Sequence, residues 1–255
     1  MKSLSKILGP FTPLVGVVIL LLVWQIAFWV EVVDHVLLPS PASMFVAVWQ
    51  GMSGGQLLFD FFRTIERTAL SILYAGIIGI PLGIIFGSSV GLYRSVEFVV
   101  DFFRSTPASA VFPLFLAISG PGDATKIQVA TFGAALVILF NVAYGVMNAR
   151  KTRLQAAKVM GAPRFRVLTD VMLFESLPQT FVGLRNGVSL ALIIVIVAEM
   201  FIGSVDGLGH NVLDNQMLFE MPRMYAAIFV AGALGYSFNL LFLLIERRYV
   251  HWSGR

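Results

Sequence analysis

The stretch RLQAAKVMGAPRFRVLTDVMLFESLP, Arg153 to Pro178, is the key to how this chain folds. It is basic, and it lies between two segments apolar enough to cross a bilayer. Apolar positions at Leu154, Ala157, Val159 and Met160 have the spacing of one face of a short helix. Gly161, Ala162 and Pro163 then break it, since glycine accepts a positive φ at a helix end and proline suits the first turn of the next helix. Phe165, Val167, Leu168 and Val171, set among Arg164, Arg166 and Asp170, predict a second short helix over about 163–173. Two short helices with a bend, too polar to span lipid, make a knob projecting from the membrane. Such a knob needs a partner.

The rest of the chain supplies the membrane. Hydrophobic residues are 58% of the 255 and charged residues 13%, about half the charged share of a soluble protein. The fold class is therefore all-α, a polytopic membrane protein of about six transmembrane helices. The predicted spans are 11–30, 68–87, 99–118, 127–147, 182–203 and 225–245, with the polar loop at 150–178 and one domain over 1–255. The first apolar run is nearer 20 residues than the roughly 7–15 of a signal-peptide core, and no small-residue cleavage site follows it, so it is expected to stay as a span. Leu38-Pro39-Ser40-Pro41 is a non-helical break, and Ser43 to Gln50 reads as an interfacial helix carrying Phe45, Val46 and Trp49. Gly79, Gly83, Gly87 and Gly91 form a stripe where another helix backbone can approach, and Pro81 predicts a kink in that helix. There is no cysteine, which excludes disulfides, thiolate metal sites and thiol nucleophiles.

Lysine and arginine placement orients the spans. With the N-terminus inside, one side receives Lys2, Lys6, Arg94, Arg104, Arg150, Lys151, Arg153, Lys158, Arg164, Arg166, Arg185, Arg247, Arg248 and Arg255. The other side receives only Arg63, Arg67, Lys126 and Arg223. The 150–178 loop and both termini are thus expected in the cytoplasm. The net charge of +4 is then a topology signal and not a nucleic-acid footprint.

Few residues are placed for chemistry. Glu199 is the one acid well inside an apolar run, and a charge there costs roughly 2.5–3.5 kcal/mol or more unless it has a partner. Lys126 is its candidate partner. Glu199 is either a satisfied structural acid or part of the translocation path. Asn141, Asn186 and Ser189 can hydrogen-bond a neighbouring helix or a passing solute, and Arg104 would suit an anionic solute or a membrane edge. Gly120 to Lys126 lacks the Gly-Lys-Ser/Thr of a phosphate loop, so the chain has no ATP site. His35, His210 and His251 lie in separate segments, and no metal or other cofactor is expected in the chain itself.

The basic loop is similar to the cytoplasmic loop of ATP-binding-cassette importer permeases, which reads Glu-Ala-Ala, three residues, Gly, nine residues, Ile, one residue, Leu-Pro. Ala156, Ala157, Gly161 and Leu173 match, and Val171 stands for Ile; Gln155 replaces Glu and Phe174 replaces Pro. Phe103 to Leu114 looks like the family's Arg-x-x-Pro, then Pro-Leu, element, and Pro178, the Leu38-Pro39-Ser40-Pro41 element and Ala198-Glu199 with Gly207-Leu208-Gly209 resemble the nitrate, sulfonate and taurine branch. The resemblance implies that Gln155, Ala156, Ala157, Gly161, Ala162, Val171 and Leu173 form a coupling helix docked on an ATPase. It implies a bacterial inner-membrane permease, itself not an enzyme, with a second permease copy or homologous permease. Two cytosolic ATPases would hold ATP and magnesium, and an extracytoplasmic binding protein would deliver a small anion, zwitterion or heterocycle. The rival reading is an ion-coupled secondary transporter, but only one span carries an embedded acid and the halves show no repeat.

Overall fold

The computed structural model describes residues 12–250, and these form helices joined by short turns. Lys2, Lys6, Arg255, His251 and the two termini used in the orientation argument lie outside those residues. In chain order the helices are α1 (Thr12–Trp29), α2 (Pro41–Met52), α3 (Gln56–Gly87), α4 (Val90–Ser105), α5 (Ala108–Ser119), α6 (Asp123–Met147), α7 (Lys151–Val159), α8 (Val167–Phe201), α9 (Leu208–Met217) and α10 (Met221–Tyr249). Helices α3, α6, α8 and α10 are each long and apolar enough to cross a membrane. The bent pair α4 and α5 can supply a fifth crossing, and α1 is a shorter apolar helix.

Helix α6 is the centre, packed between α3 on one side and α8 on the other. Small residues make this possible. A Cβ on Gly79, Gly83 or Gly87 would stand 2.7–2.8 Å from the carbonyl oxygens of Ala135, Leu139 and Ala143. On the other side, a Cβ on Gly183 would stand 2.8 Å from the Asn141 side chain. Ala130, Ala134, Ile138, Val142 and Val195 close the core between them. Gly91, the fourth member of the expected stripe, lies in α4, where an added Cβ would meet the Ser89 hydroxyl at 3.8 Å and no other helix.

Three expectations need correction. The span expected over 68–87 begins at Gln56 and runs 32 residues through Pro81. At 1.5 Å per residue that is longer than a hydrocarbon core of about 30 Å. The span expected over 99–118 is not one helix: α4 and α5 meet at 89°. Pro107 offers no N–H and holds Thr106 in extended geometry (ψ 124°), so the helix ends at Ser105. The separate short helix expected over 163–173 does not exist. A single turn, Arg164–Arg166, leads through a wide π turn, Val167–Met172, straight into Leu173–Phe201. No glycine or proline stands between Arg164 and Leu177 to stop it, and the helix also passes through Pro178.

The chain before α3 is held to this core from outside. Ser40 caps α2 through the Ser43 amide (3.2 Å), with Pro41 in its first turn. The Trp24 indole N–H donates to the Pro39 carbonyl at 3.0 Å and so fastens α1 to the start of α2. Phe45, Val46 and Trp49 are exposed on α2, the set expected to face headgroups.

Candidate functional site

Three places carry the residues singled out above. The first is the turn after α7. The Ala162 amide donates to Ala157 O and the Gly161 amide to Lys158 O, both at 3.0 Å, with Gly161 at φ +79°. That is the paired hydrogen-bond pattern of a helix closed by a left-handed residue, the role expected of Gly161. Ala157 is buried against the following turns, while Gln155, Ala156, Val159, Met160 and Phe165 are exposed. Ala162, Val171 and Leu173 are half-buried. Val159, Met160 and Phe165 therefore form an uncovered apolar patch at the tip, flanked by the exposed Lys158 and Arg166. Arg153 and Arg150 (3.7 Å) pair with Glu175 at the start of α8.

The second place is the seam of α6 and α8. Asn186 and Ser189 sit one turn apart near the middle of α8, both exposed. A mid-span polar pair facing outward is poorly suited to lipid and fits a protein or water-lined surface. Asn141 lies across from Gly183, and its amide donates to Val137 O at 2.8 Å. Arg104 stands at the α4–α5 bend with its guanidinium 4.0 Å above the ring of Phe140 and 3.3 Å from Asp101. The cleft beside it, about 220 Å³, is walled by Leu136 and Val137 of α6 and Leu190 of α8. Arg104 and Asn141 thus border the seam, while Asn186 and Ser189 lie exposed on α8.

Glu199 does not border it. It is 1% exposed inside a network at the far end of α3, α6 and α8. Its Oε1 accepts from Arg67 Nη1 at 2.7 Å, and the Thr64 hydroxyl donates to the same carboxylate at 2.9 Å. Its Oε2 accepts from the Gly209 amide at 3.0 Å. Lys126 is not its direct partner: that ammonium donates to Ser204 Oγ at 2.7 Å and to Asp123 at 3.3 Å. Arg67 is the hub, bonding also Asp123 (2.9 Å), the Asp206 carbonyl (3.0 Å) and the Asp206 carboxylate. Arg63 reaches Asp123 at 2.5 Å and Asp206 at 3.2 Å. Burial alone would raise the Asp206 carboxyl, but the bonds and charges of Arg67 and Arg63 outweigh it and hold it below the ordinary aspartate range.

Asp60, Thr64, Arg67, Asp123 and Asp206 were not among the expected site residues. The signal was there: Asp60, Thr64, Arg67, Ser71, Ala75, Gly79, Gly83 and Gly87 are buried along α3 at helical spacing. The charged part of that face, Asp60 to Arg67, precedes residue 68, where the span is expected to begin.

Residues 79–251 match the family described as binding-protein-dependent transport system inner membrane component. A probable ABC transporter permease of Brucella abortus is 30% identical over 224 residues, covering 86% of this chain and 88% of the relative. The taurine transport system permease TauC of Escherichia coli is 26% identical, covering 92% and 87%. Among solved structures, the inward-facing MetNI methionine ABC transporter aligns with a TM-score of 0.69 at 22% identity, over 76% of this chain and 96% of that one. This last likeness speaks for the fold.

Proposed function

The chain belongs to the family of binding-protein-dependent transport inner-membrane components, a permease of ABC importers of the nitrate, sulfonate and taurine type, and from that premise we propose how it works. It passes a small sulfonate-like anion or zwitterion along the α6–α8 seam. Permeases of this family do not hydrolyse ATP, so the driving force enters from separate ATPase subunits. The family description leaves no place for the ion-coupled reading.

The observation that carries the proposal is the exposed pair Asn186 and Ser189 at mid-span of α8. The helix that bears them is continuous with the turn that follows α7. A displacement of the cytoplasmic tip is thus passed to the polar pair along one helix, through its π turn and Pro178. Asn141 and Arg104 complete the polar edge, and the guanidinium suits an anionic group. In this reading two cytosolic ATPases, holding ATP and magnesium, grip the exposed tip around Gln155, Ala156, Ala157, Gly161 and Ala162. A second permease copy faces the seam, and both termini lie in the cytoplasm.

The test uses proteoliposomes containing this chain, its ATPase and its binding protein. Uptake of labelled taurine, an alkyl sulfonate and nitrate is compared for the parent, Asn186→Leu and Ser189→Leu. We expect both variants to keep their ATPase subunits and to lose at least tenfold in uptake of one of these solutes. Unchanged uptake in both would remove the seam from the path.

A further inference from the structure

The segment between α8 and α10 reads in the sequence as a polar outer loop. In the structure it is built into the helical core. Helix α9 has no capping side chain of its own. Its first three amides are satisfied from other helices instead. The Gly207 amide donates to Asp60 (2.8 Å), the Leu208 amide to Thr64 (2.9 Å) and the Gly209 amide to Glu199 (3.0 Å). Helix starts leave such amides without internal partners and carry partial positive charge, so two carboxylates and a hydroxyl are well matched to them. The fit has no slack. A Cβ on Gly209 would stand 2.1 Å from the Ile196 carbonyl, and one on Gly207 would stand 2.3 Å from the Glu199 carboxyl carbon. Gly207 also holds φ +110°, open to glycine almost alone. Leu208, fully buried, packs in one apolar cluster with Leu57 of α3 and Leu192 of α8.

We propose that α9 is a fixed part of one body with α3 and α8, and that Glu199 is the positioning residue that joins the three. Its Oε1 serves Arg67 of α3, its Oε2 serves the first turn of α9, and the Thr64 hydroxyl of α3 lies within 3.0 Å of both oxygens. α9 is then no flap opening on its own; outer access changes only when the whole body moves against a partner. This rests on the transport reading above.

The test replaces the natural fastening by a covalent one. Gln56 of α3 and Asp214 of α9 stand on the walls of one pocket of about 360 Å³. In this cysteine-free chain, Gln56→Cys with Asp214→Cys is bridged by a short bifunctional thiol reagent. The whole transporter is used, and uptake is counted per assembled complex. Bridging the double variant should leave uptake within twofold of its unbridged control. Adding Glu199→Gln should lower uptake at least tenfold, and bridging should restore most of it, which a general folding defect would not allow. In detergent, where no transport is needed, Glu199→Gln should speed thiol labelling of Asn215→Cys, a site buried in the parent, at least fivefold. Loss of uptake on bridging the control, or unchanged labelling in Glu199→Gln, overturns the proposal. If Asn186→Leu and Ser189→Leu keep full uptake while bridging still rescues Glu199→Gln, the seam reading fails and this one stands.

Discussion

The two ends of α8 carry the same kinds of residue in opposite states. At the Glu199 end, Arg67, Glu199, Asp60 and Lys126 are all 3% exposed or less. At the other end, the side chains of Arg150 and Arg153 are more than half exposed around Glu175. Charges taken fully out of water persist only with good geometry and several partners each, so a buried network fixes the helices that supply it. Exposed pairs are worth little and yield easily. The difference assigns rigidity to one end and adaptability to the other. The apolar tip around Val159, Met160 and Phe165 is left for a partner to cover.

The largest expected effect breaks the comparison if it fails to appear. Arg67→Met leaves Glu199 with neutral donors only and weakens the hold on Asp123 and Asp206. Removing one member of a buried pair costs about 3–5 kcal/mol, so the assembled transporter should be poorly recovered, with a clearly lowered unfolding temperature in detergent. Arg153→Met, its counterpart at the exposed end, should cost under about 1 kcal/mol. Equal losses for the two would show that the ends do not differ as described.

Two glycines sharpen the contrast. Gly209→Ala puts a methyl group into the Ile196 carbonyl, and α9 must shift to accept it. At Gly161 a Cβ would meet nothing within 4 Å, so Gly161→Val carries only the cost of a left-handed backbone, about 1–2 kcal/mol. Gly209→Ala should therefore lower thermal stability by several degrees more than Gly161→Val. Gly161→Val should insert normally yet lose ATPase subunits or their stimulation on co-purification. A Gly161→Val complex with full, stimulated ATPase would remove the turn from the coupling path.

A smaller effect follows from pH. The Asp206 carboxyl is held below its ordinary range by Arg67 and Arg63. Its contribution to stability is present above its unfolded value and is lost as pH falls through the lower folded one. Unfolding temperatures of the parent and Asp206→Asn should differ steadily from pH 7 to about 5. They should converge below 4. A difference that grows on acidification would reverse the assigned sign.

The same comparison explains what was legible from sequence. Helical class, the apolar runs and the Gly161 turn follow from local rules, in which composition and a single glycine decide. The network was not legible, because its members are spread over 60–67, 123–126 and 199–211 and meet only when α3, α6 and α8 pack. Hydropathy also cut the decisive face in two: Asp60, Thr64 and Arg67 look like loop until the glycine stripe is followed back along the helix. Lys126 was a reasonable partner for Glu199 by depth, yet the face of α3 placed Arg67 nearer. Pro107 stands in the sequence inside the expected 99–118 span, but nothing there gives the 89° angle at which the two helices meet.

The smallest effect is expected at Gln155, where relatives carry Glu by the resemblance above. Helix α7 is KTRLQAAKV and has no acid of its own. Gln155 is exposed, four residues after Lys151 and three before Lys158. Gln155→Glu therefore meets two local cations, each pair worth about 0.2–0.5 kcal/mol to the helix, and the free chain should be stabilised slightly. Against a partner, a carboxylate makes bonds about twice as strong as an amide, but screening weakens them as salt rises. Retention of the ATPase by Gln155→Glu should thus equal or exceed that of the parent at low salt, by less than about tenfold, which corresponds to 1.4 kcal/mol. It should fall more steeply between low and high salt, because the parent's contact there is neutral. Measured by co-purification across a salt series, a parent as salt-sensitive as Gln155→Glu would mean that Arg153 or Lys158, not position 155, carries the charge contact. Loss of the ATPase in Gln155→Glu would mean that the amide N–H of Gln155 donates to the partner, a bond a carboxylate cannot make, and the adaptable end would then be more specific than its exposed surface suggests.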